Sequence, residues 1–259
     1  MAILDSTKMR RFGAAARDGV IAVEVGSERV KYYVHKALLE EHSEYFKRAL
    51  NGPWKEAEEK VVCLDDVECR TFEVFVDWLY TRKLPAKRTG WVGEEYDSEW
   101  YITLQIPMMK ACAFANRMLS PDFLHAMEHR LIDHFIASGN VPFYEAIIFA
   151  FENLPPTSLI LKALVDAHCR SFDEAEDTEE NGELELRSQL PNTFLVDVML
   201  RYVKLKSRKQ TLLDRCDYHG HVSEDEKQEC QNNHCTGSDS EDSEDSDEGE
   251  DSEDDCGSE

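Results

Sequence analysis

The chain lacks the segments that direct a protein into or across a membrane. Residues 1–17 contain no apolar stretch of the roughly 7–15 residues that a secretory signal needs. No stretch reaches about 18 uninterrupted apolar residues, so the sequence predicts no transmembrane helix. We therefore expect a cytoplasmic or nuclear protein that is not secreted and whose thiols are reduced. The first four of the eight cysteines lie in apolar runs and are predicted to be buried: Cys63, Cys69, Cys112 and Cys169.

Catalytic motifs are also missing. The sequence has no glycine-rich phosphate-binding loop, no G-x-S-x-G elbow and no convincing catalytic Cys/His arrangement. One string, His125-x2-Glu128-His129, resembles a zinc-protease motif, because residues four apart share a helix face. The apolar stripe of the same helix, however, leaves both histidines on its flank, and no third ligand is indicated. We therefore predict that the chain is not an enzyme.

Positive charge is scarce, most of all at the C-terminus. The net charge is −24, and residues 236–259 contain thirteen acidic residues and no basic one. Such a chain repels nucleic-acid phosphates, so we expect no nucleic-acid partner. Residues 237–259 lack apolar side chains and are predicted to be disordered. Ser238 and Ser252 each precede an acid by three residues, which is typical of acidophilic kinase sites, although a purely solubilising tail is the alternative.

The hydrophobic pattern indicates a folded α+β module at residues 18–137. Two β-rich runs, 20–25 and 30–34, flank Gly26-Ser27 and predict a hairpin. Short helices follow, the second of them capped by Ser43 and ended by a glycine and a proline. A strand at 61–64 and an amphipathic helix at 69–80 come next. Residues 85–99 are predicted to form a polar loop inserted in the module.

After this loop the pattern is helical. We predict helices at 104–119, with Pro107 in the first turn, and at 121–137, where Ser120-Pro121 is a start signal. Three further helices fit 143–153, 158–172 and 192–207, with a mobile acidic loop at 173–185. The predicted organisation is therefore an N-terminal segment (1–17), the module (18–137), a helical region (141–209) and a disordered acidic tail (213–259).

The order and spacing of several short motifs resemble the BTB/POZ domain. The resemblance covers residues 18–84 well and the helices up to residue 137 more loosely, and the chain is similar to short BTB-only proteins of filamentous fungi. It implies a small β-sheet with surrounding helices and a protein-interaction function, commonly with homodimerisation. The motifs are Val34-His35-Lys36, His42-Ser43-x-Tyr45-Phe46, Val62-x-Leu64 and Phe72-x2-Phe75-x2-Trp78-Leu79-Tyr80-Thr81-x-Lys83-Leu84.

The loop before the third strand carries one candidate partner-binding motif. Trp54-Lys55-Glu56 resembles the hydrophobic-x-Glu motif of BTB adaptors for cullin-3 ubiquitin ligases, and Trp54 lies eight residues before Val62. An exposed Trp beside a Glu is a plausible anchor, because aromatic residues dominate interface energetics. The alternative is that Trp54 folds inward and covers the core. The chain contains no substrate domain of the kelch or MATH type, so residues 141–209 would have to select a substrate.

A cysteine- and histidine-rich segment is a candidate zinc site. Cys216, His219, His221 and Cys230 supply the four ligands that tetrahedral zinc needs, and His234 or Cys235 could substitute. An unmetallated disordered segment is the alternative, because acidic residues surround these ligands.

Two classes of function remain open. The leading interpretation is an adaptor or scaffold that binds proteins, either for a cullin-3 ligase or through self-association alone. The alternative is a nuclear regulator whose acidic tail binds basic proteins such as histones. Lys204-x-Lys206-x-Arg208-Lys209 could serve nuclear import, but cations also suit the end of a helix.

Overall fold

A computed structural model describes residues 16–93, 102–139, 141–174, 178, 182–206, 221 and 223–235. The chain forms two compact units. One consists of residues 4–220, and the other of residues 1–3 together with 221–259. Within the described residues, no helix combines the length and apolarity needed to cross a membrane.

A three-stranded sheet forms the centre of the N-terminal part. Strands β1 (Val20–Val25) and β2 (Val30–His35) are antiparallel, and β1 also pairs in parallel with β3 (Val61–Leu64), giving the order β2-β1-β3. The predicted hairpin is therefore confirmed. The turn of the hairpin requires a left-handed backbone conformation at Gly26, whose φ is +74°. Alternate β1 side chains enter the core, as a sheet with one buried face requires: Ile21, Val23 and Val25.

Short helices connect these strands and cover the inner face of the sheet. They are α1 (Lys36–His42), α2 (Glu44–Asn51), α3 (Lys55–Glu59) and α4 (Cys69–Thr81). Ser43 caps α2 as predicted: its Oγ accepts from the Phe46 N–H at 3.2 Å and donates to the Met118 carbonyl at 2.6 Å. The second bond joins the α1–α2 junction to the end of a helix seventy-five residues later, so the cap also fixes tertiary packing.

The expectation of a simple polar loop at 85–99 is wrong in its first half. Residues Thr89–Val92 form a short helix, α5, and the Trp91 side chain is only 1% exposed. Trp91 Nε1 donates to the Pro85 carbonyl at 3.1 Å, and Gly90 lies against the Pro85 ring. The segment is therefore anchored to the core, because burial of the indole is combined with a satisfied N–H. Residues 94–99 lie outside the described residues.

Two long helices complete the module: α6 (Ile102–Arg117) and α7 (Pro121–Ser138). Pro107 is the sixth residue of α6, so the prediction that it lies in the first turn is wrong. Its missing N–H removes the hydrogen bond to the carbonyl four residues earlier in the helix. Ser120 and Pro121 begin α7 as predicted, but the buried Ser120 Oγ has no hydrogen-bond partner among the described residues.

An aromatic cluster unites these elements. Phe75, fully buried on α4, has its ring centroid 5.1 Å from that of Phe123 on α7 and 5.2 Å from that of Phe114 on α6. Edge and tilted contacts of this kind stabilise the core beyond simple burial. Of the large apolar and aromatic motif residues at 45–46 and 72–79, five are buried in this core, whereas Tyr45 is half-buried and packs against it. The five are Phe46, Phe72, Phe75, Trp78 and Leu79.

A buried histidine lies at the edge of this cluster. The Arg82 guanidinium donates to the His42 ring, and its Cζ lies 4.2 Å from the centroid of the Trp78 ring. Burial, and then the positive charge of Arg82, lower the pKa of His42 to about 4, while Asp122 opposes the shift. His42 is therefore neutral in the folded protein at neutral pH, where it accepts a hydrogen bond from arginine.

In the part of the extension that the structure describes there are four α-helices: α8 (Tyr144–Asn153), α9 (Leu159–Ser171), α10 (Glu183–Leu186) and α11 (Asn192–Lys206). Their buried residues belong to the same hydrophobic cluster as the sheet and α4–α7. The predicted mobile loop at 173–185 is wrong at its end, because Glu183 is buried and accepts from the Tyr144 N–H at 2.8 Å. The carboxylate thereby satisfies a free donor at the start of α8.

The second unit contains one described helix, α12 (Glu224–Cys235). This helix falls within the segment from residue 213 that we predicted to be disordered. Ser223 Oγ accepts from the Glu226 N–H at 3.2 Å, and three acidic residues occupy the first turn. Both features favour the start of a helix. The helix therefore forms although its sequence has no apolar stripe. Residues 236–259, with Ser238 and Ser252, lie outside the described residues, so the predictions of disorder and phosphorylation stay predictions.

The cysteines follow the sequence prediction only in part. Cys112 and Cys169 are buried, Cys69 is partly buried, and Cys63 is exposed. Cys63 lies on the outward face of β3, opposite Glu24 of β1. The side chains of a strand point alternately to the core and to the solvent. The apolar run therefore did not show on which face of β3 Cys63 lies.

Candidate partner-binding surface

Trp54 is an exposed aromatic residue at the start of α3. It occupies the N-cap position with extended backbone angles, and its side chain is 60% exposed. The inward-folded alternative therefore does not describe the structure. The indole ring lies against Gly52, where a Cβ would be 2.5 Å from Trp54 Nε1. The absence of a side chain at Gly52 thus lets the ring approach the backbone at the end of α2.

Glu56 lies in the first turn of α3 and is half-buried. Its carboxylate acts on Tyr45 of α2: burial and then the charge of Glu56 raise the pKa of the Tyr45 phenol. The charge of the Arg117 guanidinium opposes this shift. Only the position of Tyr45 in three dimensions reveals that it belongs to the surface around Glu56.

Arg117 of α6 also belongs to this surface, since its charge acts on Tyr45. It forms an ion pair with Asp66, which follows β3, and this pair together with a backbone hydrogen bond lowers the pKa of Asp66 despite partial burial. We call Tyr45, Trp54, Glu56, Asp66 and Arg117 the α3 surface. It contains a Trp, a Tyr and an Arg, which are the residue types enriched at the hot spots of protein interfaces.

A groove begins at the Asp66–Arg117 pair and runs between α6 and α8. Its cavity has a volume of about 430 Å³, and a neighbouring cavity of about 360 Å³ shares Glu68, Thr71 and Lys110 with it. Lys110 and Glu68 form an ion pair within it. The first cavity is lined by, among others, Thr71, Lys110, Phe114, Arg117, Phe149 and Asn153. The groove therefore lies between the module and the helical extension and offers both apolar and charged contacts.

No metal-binding arrangement of three or more ligand side chains occurs among the described residues. Of the predicted zinc ligands, Cys216 and His219 lie outside these residues, and His221 and Cys230 fall before and within α12. The zinc hypothesis therefore stays a prediction. His125 is exposed and His129 half-buried, with ring centroids 4.0 Å apart, on the flank of an α7 stripe that buries Met127 and Leu131 as the sequence indicated.

The basic run at the end of α11 is described only in part. Lys204 is exposed within the helix, whereas Arg208 and Lys209 lie outside the described residues. Its proposed part in nuclear import stays a prediction, and the stabilising effect of cations at a helix C-terminus accounts for Lys204 equally well.

Comparison with known families agrees with this architecture. Residues 14–133 match the family model described as BTB/POZ domain, which is a protein-interaction domain. A comparison with curated proteins gave no match. The matched residues contain the three-stranded sheet, helices α1–α6 and most of α7, and they include the whole α3 surface. The chain therefore contains a BTB/POZ domain at residues 14–133, and a helical extension follows this interaction domain.

Proposed function

We propose that this protein is an adaptor that binds cullin-3 through the α3 surface and presents a substrate to a ubiquitin ligase. The observation that carries the proposal is the exposed Trp54, held over Gly52, with Glu56 in the next turn. An aromatic side chain that is 60% exposed can lose that surface on binding, which makes it a strong candidate for a hot spot.

The groove between α6 and α8 supports the same function. It starts at the Asp66–Arg117 pair, so a partner that binds this part of the α3 surface can extend along the groove. The helical extension supplies the other wall through Phe149 and Asn153. Substrate selection then falls to the outer surfaces of this extension, in a cytoplasmic or nuclear compartment.

We also propose that the BTB domain self-associates into a homodimer, as is common for the family. An isologous twofold contact is the most frequent arrangement of soluble assemblies. A dimeric adaptor would present two α3 surfaces to two cullin molecules.

Calorimetric titration with the N-terminal region of cullin-3 tests the adaptor proposal. We expect Trp54→Ala to weaken binding by about 30-fold or more, which corresponds to about 2 kcal/mol. Glu56→Gln, which removes charge but keeps shape, tests the electrostatic contribution. Tyr33→Ala is the matched control, because Tyr33 is also an exposed aromatic but lies on β2, the strand farthest from β3. Absence of binding by the wild type, or equal affinities of Trp54→Ala and Tyr33→Ala, would contradict the proposal.

A nuclear regulator is the second candidate, favoured by the thirteen acidic residues without a base in residues 236–259. Purification of the protein with its partners from its native cells separates the two functions. A cullin among the partners supports the adaptor, and histones lost at raised salt concentration support the regulator.

A further inference from the structure

Helix α11 has an apolar side that no described part of the chain covers. Six of its large hydrophobic side chains are between 40% and 63% exposed: Leu195, Val196, Met199, Leu200, Tyr202 and Val203. They recur at the spacing of one helix face over two turns. We call these six residues the α11 face. Together they leave on the order of 500 Å² of apolar surface, the size of the largest patch on a typical monomer and often a functional one.

The opposite side of α11 is fixed to the protein. Phe194 is fully buried, and Arg201 forms an ion pair with the buried Asp166 of α9. The helix therefore cannot roll to hide the α11 face without breaking a buried charge pair, a change that is strongly destabilising. The face is presented on a rigid support, as a preformed docking surface requires.

The charges beside the α11 face are arranged for pairing with an identical helix. Asp197 and Lys204 are both exposed and lie seven residues apart, nearly two turns, so they stand on the same edge. The midpoint between them falls between Leu200 and Arg201. The α11 face runs from Leu195 to Val203 and is centred on Met199, so the two centres differ by about 2 Å along the axis.

Because the charge pair and the α11 face have nearly the same centre, the partner that fits them is a second copy of α11. When two copies of α11 pair in antiparallel fashion about a twofold axis near Leu200, the same edge of each helix meets. Asp197 then lies opposite Lys204 of the second copy, and the pair is repeated by symmetry. Two copies bury about 1,000 Å² of apolar surface together, and the flanking residues add to it, which reaches the size of a specific interface.

We propose that the α11 face is a self-association surface, at which two copies of this chain pair their α11 helices antiparallel. This contact is separate from the α3 surface and does not depend on the adaptor function. It lies in the helical extension, so it can join chains that already interact through their BTB domains into larger assemblies.

Sedimentation velocity of the full chain, over protein concentrations from about 1 to about 100 µM, tests the proposal at the dissociation range of such interfaces. We expect Met199→Glu to weaken the association at least tenfold, because it buries a charge at the centre of the face. Leu184→Glu is the matched control, since Leu184 is an exposed apolar residue of α10 outside the face. If the BTB domains also associate, the wild type forms assemblies larger than a dimer, and Met199→Glu reduces their size to that of the dimer formed by the BTB domains.

Charge exchange identifies the partner as a second copy. Asp197→Lys and Lys204→Asp should each weaken association alone, because each places like charges opposite one another. An equimolar mixture of the two variants should associate again, because the lysine introduced in one copy then faces the aspartate introduced in the other. Equal masses for the wild type and Met199→Glu at every concentration would overturn the proposal, and so would a mixture that associates no better than its components.

Discussion

Acidification should destabilise the fold through His42, which is neutral in the folded state. Burial beside Arg82 lowers its pKa to about 4 from the ordinary value of 6.5. Below about pH 6.5 the unfolded chain takes up a proton at this position and the folded chain does not. The contribution of His42 to stability is therefore fully present above about pH 6.5 and is lost as the pH falls towards about 4.

The two pKa values give the size of the effect. Between about pH 7.5 and about pH 5, preferential protonation of the unfolded chain reduces the free energy of unfolding by about 2 kcal/mol. This is a large part of the stability of a typical domain. Carboxylates also contribute to acid sensitivity, so the quantity to measure is the difference between the wild type and a variant that has no titrating group at position 42.

Urea unfolding of the wild type and His42→Gln at several pH values in this range measures that difference. We expect His42→Gln to be the less stable protein at about pH 7.5 and the gap to shrink by about 2 kcal/mol at about pH 5. His125→Gln, at an exposed histidine of α7, is the control for a change of residue type alone. Parallel pH profiles for the wild type and His42→Gln would show that the buried histidine is not the source of the sensitivity.

Two further predictions concern polar groups at helix starts. Ser43→Ala should lower the free energy of unfolding by about 1–3 kcal/mol, since it removes the cap of α2 and one of the two hydrogen bonds that the Met118 carbonyl accepts, the other coming from the Tyr45 N–H. Ser120→Ala, at a buried hydroxyl without a partner among the described residues, should change it by no more than about 0.5 kcal/mol or increase it. Equal losses in urea unfolding would refute this contrast. Glu183→Ala should lower stability by about 1–3 kcal/mol, because the Tyr144 N–H loses a charged acceptor, and the exposed neighbour Glu185→Ala should stay within about 0.5 kcal/mol. Thermal unfolding of both variants measures this difference in stability, and similar melting temperatures would contradict the prediction.

Local signals made most of the secondary structure predictable. The change from alternating to helical periodicity, the turn glycine and the Ser43 cap act over a few residues, so one sequence contains all the information they need. Trp91 was missed for the opposite reason. Its burial depends on the Pro85 carbonyl and on packing against α4 and α6, and the polar residues around it gave no periodic signal.

The individual residues of the candidate surfaces were predictable from the sequence, but their arrangement in space was not. The motif at Trp54 and Glu56 was visible in the sequence, but the exposure of the indole and its approach to Gly52 were not. The role of Tyr45 depends on Glu56 and Arg117, which are far apart along the chain. The helix at α11 was predicted, whereas its uncovered side was not, because an apolar stripe does not say whether a neighbour covers it.

The parallel pairing of β1 with β3 affects how the chain emerges from a ribosome. The β1–β2 hairpin is local and can close within about 10 µs, but the other edge of β1 receives its partner only when residues 61–64 have been synthesised. Until then the nascent chain exposes unpaired backbone groups beside Val23 and Val25. An open apolar strand edge is a template for wrong pairing between chains. The edge of β1 therefore stays open to pairing with another chain until the intervening helices and β3 have emerged.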